Sequence, residues 1–153
     1  MRLVELSVEK FEEIRPYVDT LILPVCSIGG KEEGKSFAGD LILIRQIASR
    51  IDNQLSGRVF LLPEAVHTNL SGEPANMPEQ ILADYLFHLL LPFKEIGFDK
   101  AVLLHAAGTP GQPLAEASCK LTQEGFKVSV IRANLEESDL DDSVRQIIQL
   151  WNS

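Results

Sequence analysis

Short apolar runs alternate with amphipathic segments along this chain, and that alternation constrains the fold more than any other feature. The runs Thr20-Leu-Ile-Leu-Pro-Val25, Arg58-Val-Phe-Leu-Leu62, Ala101-Val-Leu-Leu104 and Lys127-Val-Ser-Val-Ile131 read as buried strands. Helical spacing fills the intervals. A first helix covers Val8 to Arg15 and stops at Pro16, and a second runs from Asp40 to Leu55 with Ile44, Ile47, Ala48, Ile51 and Leu55 on one stripe. Asp40 is placed to cap that helix, and Gly57 ends it. Further helices are predicted from Pro78 to Phe93, with Pro92 as a kink, from Gln112 to Glu124, and from Asp139 to Trp151. The polar stretch Glu64 to Met77 reads as a long loop. Strands that alternate with helices predict a parallel sheet covered on both faces, a three-layer α/β/α sandwich.

The chain has 153 residues, 45% of them hydrophobic, which suits one domain over residues 1–153 with one core. No apolar run reaches the ~18 residues of a membrane span, and the acidic N-terminal stretch lacks the regions of a signal peptide, so a cytoplasmic protein is expected. A net charge of −8 with scattered Lys and Arg argues against nucleic acid as a partner. Cys26 and Cys119 are far apart and are expected to stay reduced. The 78–93 helix carries Phe87 and Leu91 beyond its main apolar stripe, so it is expected to be either deeply buried or a subunit interface, with the Phe87 to Phe93 face as the surface for a homo-oligomer. His88, between Phe87 and Leu89, reads as a packed or interface residue.

In an open parallel sheet, ligands bind beyond the carboxyl ends of the strands, which here gathers Cys26 to Asp40, Glu64 to Glu73 and His105 to Thr109. The polar groups expected to line a cleft there are Lys31, Asp40, His67 and His105, with Glu32, Glu33 and Glu73 nearby. Gly29-Gly30 and Gly108 with Gly111 match no phosphate-binding pattern and read as tight turns.

The segment Pro24-Val-Cys-Ser-Ile-Gly-Gly-Lys-Glu-Glu-Gly-Lys-Ser-Phe-Ala-Gly-Asp40 resembles the first motif of the creatininase (creatinine amidohydrolase) family, Pro-hydrophobic-Gly-Ser-x-Glu-Gln-His-Gly ending in Gly-Thr-Asp. That family's Glu, His and Asp bind metal. Gly29 stands at the Glu position, Lys31 at the His position and Asp40 at the Asp position. Ser71-Gly-Glu-Pro-Ala-Asn-Met-Pro78 is similar to the family's Ser-x-Glu-His-x-x-Phe-Pro, with Pro74 in place of the His. Gly97-Phe-Asp-Lys-Ala-Val-Leu-Leu-His-Ala-Ala-Gly108 resembles the family's Gly-Phe strand segment, with His105 at or within two residues of its metal-binding His. Tyr17-Val-Asp-Thr20 and Gly57-Arg-Val-Phe-Leu-Leu-Pro63 also look like the YpiF-like proteins of Bacillus-type bacteria, which implies a bacterial origin but no activity.

The resemblance implies a creatininase-like fold with an eroded metal centre. A dinuclear hydrolase needs two metals about 3.5–4 Å apart, each anchored by carboxylate or imidazole, and two surviving ligands do not hold such a pair. Lys31 facing the old site would pair with Asp40 and replace the metal's charge. A single zinc or manganese on Asp40, His105 and His67 satisfies the ligand count of a catalytic site. The plainer roles are Asp40 as a helix cap, His105 bonded to backbone at a strand end, and His67 as a solvated loop residue. Cys26 with His105 is a second option, a thiolate dyad, against Cys26 as a small buried apolar group. The leading expectation is a non-enzymatic binding or assembly protein without a cofactor. The alternative is a mononuclear metal-dependent amidohydrolase acting on an amide or cyclic amide, with a bound water as nucleophile and Glu73 as base.

Overall fold

A central strand that is apolar on both faces must be covered on both, and β1, Thr20–Gly29, is buried from Thr20 through Ser27. In the computed structural model, which describes residues 1–153 apart from 31–35, 71–75, 135 and the side chains of 137 and 138, β1 lies inside a parallel sheet. Its neighbours are β2 (Val59–Leu61) and β3 (Ala65–Asn69) on one side and β4 (Lys100–His105) on the other; β5 (Lys127–Arg132) flanks β4. The fold is a three-layer α/β/α sandwich on a parallel sheet.

The alternation of side chains along β1 sorts the two cores. Leu21, Leu23 and Val25 join Phe60, Ala101 and Leu103 under helices α3 (Glu79–Leu90) and α4 (Gly111–Gln123). Helix α1 (Val8–Ile14) adds Phe11, whose ring centroid lies 5.3 Å from that of Phe60. On the opposite face, Ile22 and Cys26 join Val102 and Leu104 under α2 (Gly39–Gln54) and α5 (Glu137–Asn152). A 3₁₀ turn over Leu91–Lys94 carries Pro92, so the proline changes the helix type instead of kinking α3. At the opposite end of the sheet, Trp151 donates from its indole to Thr20 Oγ1 at 2.8 Å while the Arg58 guanidinium sits over its ring, tying α5 to β1.

The sheet departs from the sequence expectation in one place, and that place builds the site. The stretch from Glu64 to Met77 is not a continuous loop, because β3 occupies Ala65–Asn69 and pairs with Val25–Gly29. For the same reason β1 runs on to Gly29, so Cys26 and Ser27 are strand residues and not loop residues. Strands β2 and β3 follow one another along the same side of β1, interrupted at Leu62-Pro63-Glu64. Ile22 accepts the Leu62 N–H at 2.9 Å, so Pro24, two residues on, turns its missing N–H toward the same interruption. Pro24 thereby faces a gap in the ladder where it is not required to donate, and Pro63 lies within that gap.

From β1 the chain crosses through α2 to β2 and β3, then returns through α3 to β4 beyond the other edge of β1. The loops after β1 and β4 therefore leave toward opposite faces. Such a switch point opens a crevice at the carboxyl ends of the strands.

Candidate functional site

Three chain-distant segments meet at that crevice. Ser27 near the end of β1 donates its hydroxyl to Asp40 Oδ2 at 3.3 Å, and the Gly108 N–H, in the turn after β4, donates to the same oxygen at 3.0 Å. Asp40 lies inside the first turn of α2 and does not cap it; the residue before the helix is Ala38, which makes no side-chain cap bond. An added Cβ at position 108 would stand 2.2 Å from Ser27 Oγ and 2.6 Å from Asp40 Oδ2, so only glycine admits this contact. Gly29, with φ at +103°, plays the matching part at the end of β1, where a Cβ would come within 2.7 Å of the Asn69 carbonyl oxygen.

His67 lies beside Ser27 in the β1–β3 register and is only 4% exposed. It is a buried strand residue, not the solvated loop residue that the polar sequence around it suggests. Its Nε2 is 2.8 Å from Thr109 Oγ1. Burial holds its pKa below the ordinary imidazole value, while the Thr68 backbone and the Asp40 charge act in the opposite sense. The two groups share a hydrogen bond that the Thr109 hydroxyl can serve as donor or acceptor, according to which ring nitrogen of His67 carries the proton.

A cleft of about 480 Å³ opens beside this pair, lined by His67, Asn69, Asn76, Met77, Pro78 and Pro110 among others. The Leu70 N–H donates to Asn76 Oδ1 at 2.6 Å and the Met77 N–H to Thr68 Oγ1 at 3.0 Å, so β3 and the start of α3 are joined along one wall. The Asn76 amide is oriented by that bond, which leaves its NH₂ turned away from Leu70 as a donor. The arrangement can bind a small polar molecule between prolines and amides.

The other expected residues lie elsewhere or outside the described chain. His105 is half-buried, with Nδ1 3.2 Å from the Ala106 carbonyl oxygen; burial lowers its pKa, the Ala106 carbonyl raises it and Arg132 lowers it further. It pairs in register with Val25, whereas Cys26 belongs to the core under α2, so strand alternation turns the two to opposite faces and no dyad forms. Burial, with the Glu64 and Asp40 charges, pushes the Cys26 thiol up to about 11. Lys31, Glu32, Glu33 and Glu73 lie outside the described residues. Among the described residues, no three of His, Cys, Asp and Glu gather where they could hold a metal ion, so Asp40, His67 and His105 do not form a ligand trio. Thr109, Asn69 and Asn76 were not expected; Thr109 is recognisable only once β3 is known to place His67 beside it.

A family model described as "Protein of unknown function (DUF2487)" matches residues 9–151. No curated protein matches. Among solved structures the chain is similar to "Creatininase Mn" at a TM-score of 0.71 and 16% identity, over 86% of this chain and 57% of that one. It is similar to "Crystal structure of creatinine amidohydrolase (creatininase)" at 0.67 and 17%, and to a mutant creatininase of Zn-Zn type at 0.68 and 16%, each over 86% of this chain and 57% of the other. The chain thus spans little more than half of those proteins, and identities this low establish the fold alone. None of these comparisons bears on the similarity to the YpiF-like proteins. The manganese and zinc of those proteins raise the question of whether this chain fits such a centre, and the described residues do not: Asp40 Oδ2 is taken by two protein donors and no ligand trio surrounds it. No helix among the described residues is long and apolar enough to cross a membrane.

Proposed function

The chain belongs to the DUF2487 family, and from that premise we propose that it is a non-enzymatic binding protein that uses a creatininase-like scaffold without its metal centre. The observation that carries this reading is the use made of Asp40 and His67. The Asp40 oxygen and His67 nitrogen described above are engaged by the turn after β4, while the cleft beside them stays open. A metal ligand must turn its donor atom to the ion; here Asp40 Oδ2 and His67 Nε2 are turned to protein groups.

The ligand is a small polar molecule held between Pro78 and Pro110 with Asn69 and Asn76 as hydrogen-bonding groups. Self-association belongs to the same reading; Phe87, Leu89 and Phe93 of the expected face pack partly against the core, so the exposed apolar surface that α3 leaves for it is Ile81 and Tyr85. A single-domain protein of the bacterial cytoplasm is the setting it assumes.

Elemental mass spectrometry on protein purified without tag or chelator tests the reading, followed by zinc and manganese titration of thermal unfolding. The expected result is no stoichiometric metal and an unmoved melting temperature, with shifts produced instead by cleft ligands in a small-molecule screen; a ligand at 100 times its Kd adds about 2.7 kcal/mol. Near one equivalent of tightly held metal, lost in both Asp40→Ala and His105→Ala, would replace the binding protein with a mononuclear amidohydrolase.

A further inference from the structure

Ser27, Asp40, Gly108, Thr109 and His67 form a connected line through β1, α2, the turn after β4, and β3. Ser27 Oγ and Gly108 N both donate to Asp40 Oδ2, the Thr109 N–H donates to the Ala106 carbonyl at 3.2 Å to close the turn, and the Thr109 hydroxyl reaches His67 Nε2 at 2.8 Å. Both ends return to the sheet, since Ser27 and His67 are register partners. We propose that Asp40 is a positioning residue for His67: its carboxylate fixes the turn through Gly108, and the turn holds Thr109 Oγ1 against His67 Nε2, which sets the orientation of the imidazole at the cleft wall.

The physical basis is that a histidine ring turns about its side-chain bonds unless a partner holds it, and a hydroxyl serves either tautomer, so the position of Thr109 fixes where the ring sits. That position comes from the turn, and the turn is closed by a charge-assisted bond to Asp40 packed too tightly for any side chain at 108. The carboxylate that a metal-dependent relative would spend on an ion acts here on the cleft from behind. The proposal rests on the binding reading only in giving His67 a ligand to meet, and it is tested with no ligand present.

Nitrogen-15 spectra of imidazole-labelled protein separate His67 from His88 and His105; His88, on α3, acts as the reference, since His105 bonds the Ala106 carbonyl of the same turn. In Asp40→Ala, the His67 ring-nitrogen signals shift while those of His88 stay, and the Gly108 amide exchanges with solvent about tenfold faster or more. Asp40→Asn, whose amide oxygen still accepts the Gly108 N–H, restores both. Thr109→Val changes the His67 signature and leaves Gly108 exchange as it was. Unchanged His67 signals in Asp40→Ala, or His88 moving along with His67 as a general loosening, would overturn the proposal. If Asp40→Ala does not fold, Ser27→Ala is read in its place: a smaller His67 shift supports the link and none overturns it. Because no ligand or metal enters the measurement, an unchanged His67 leaves the binding reading standing, and a failed ligand screen leaves the positioning result standing.

Discussion

Asp40 Oδ2 accepts the Gly108 N–H at 3.0 Å, and a methyl group at position 108 would lie 2.6 Å from that oxygen. This contact joins the first turn of α2 to the loop after β4 across the switch point of the sheet. Gly108→Ala is therefore expected to destabilise the protein by about 1–3 kcal/mol, the usual range for overpacking. Urea denaturation measures it. Ser27→Ala in the same chain removes the nearer clash, at 2.2 Å, and should recover part of the loss; no recovery would place the strain elsewhere.

His67 and His105 both have pKa values lowered below the ordinary 6.5, chiefly by burial. In the range just below 6.5 the unfolded chain then binds more protons than the folded one. The histidine share of stability should be full above about pH 6.5 and fall as the pH is lowered through that value, by at most about 1.4 kcal/mol per pH unit for each ring. The Met1 amino group acts in the same sense over a higher range, since burial and the Arg2 charge lower its pKa from 8.0 to about 6. Asp19 is separable: burial raises its pKa, yet hydrogen bonds from Thr20, Lys100 and Arg58 bring it below 3.8, so its contribution is lost only in more acid solution. Denaturation at pH 7.5 and 5.5 reads the two histidines and the Met1 amine together, and His67→Gln should remove the His67 share of the difference.

The two cysteines should differ sharply in reactivity. Cys26 is fully buried with its thiol near 11, whereas Cys119 is exposed on α4. Iodoacetamide at pH 8 is expected to modify Cys119 alone in native protein and both residues in urea. Native labelling of Cys26 at a comparable rate would mean that the core under α2 opens readily.

Helix α3 offers a contrast between its faces. Leu86 is fully buried against the sheet and Tyr85 is 43% exposed. Leu86→Ala should cost about 2–5 kcal/mol, and Tyr85→Ser within about 0.5 kcal/mol for a monomer. Sedimentation analysis of the parent and of Tyr85→Glu tests self-association; a mass that stays double in Tyr85→Glu would exclude this face as the interface.

Much of the layer order was legible because burial leaves a period in the sequence. Ile44, Ile47, Ala48 and Ile51 recur at helical spacing and lie in the core under α2, and the run Thr20 to Val25 is apolar without a break because both its faces are covered. Strand β3 was hidden for the converse reason. Its His67, Thr68 and Asn69 are polar, and they are in a strand because β1 supplies hydrogen bonds and Thr109 and Met77 supply side-chain partners, none of which is local.

Asp40 shows the same division within one residue. Its place at the start of a helix, and its resemblance to a family carboxylate, are properties of the local segment and could be read along the chain. Its work is done on Gly108, 68 residues away, and no local pattern carries that. The sequence by itself determined the alternation of elements, the two buried faces of β1 and the carboxyl-end location of the site. Only the tertiary structure decided that His67 is buried beside Ser27, that Cys26 and His105 are turned apart, and that Asp40 closes a turn, because hydrogen bonds between segments depend on strand register and crossover path, and neither leaves a periodic trace in the residues themselves.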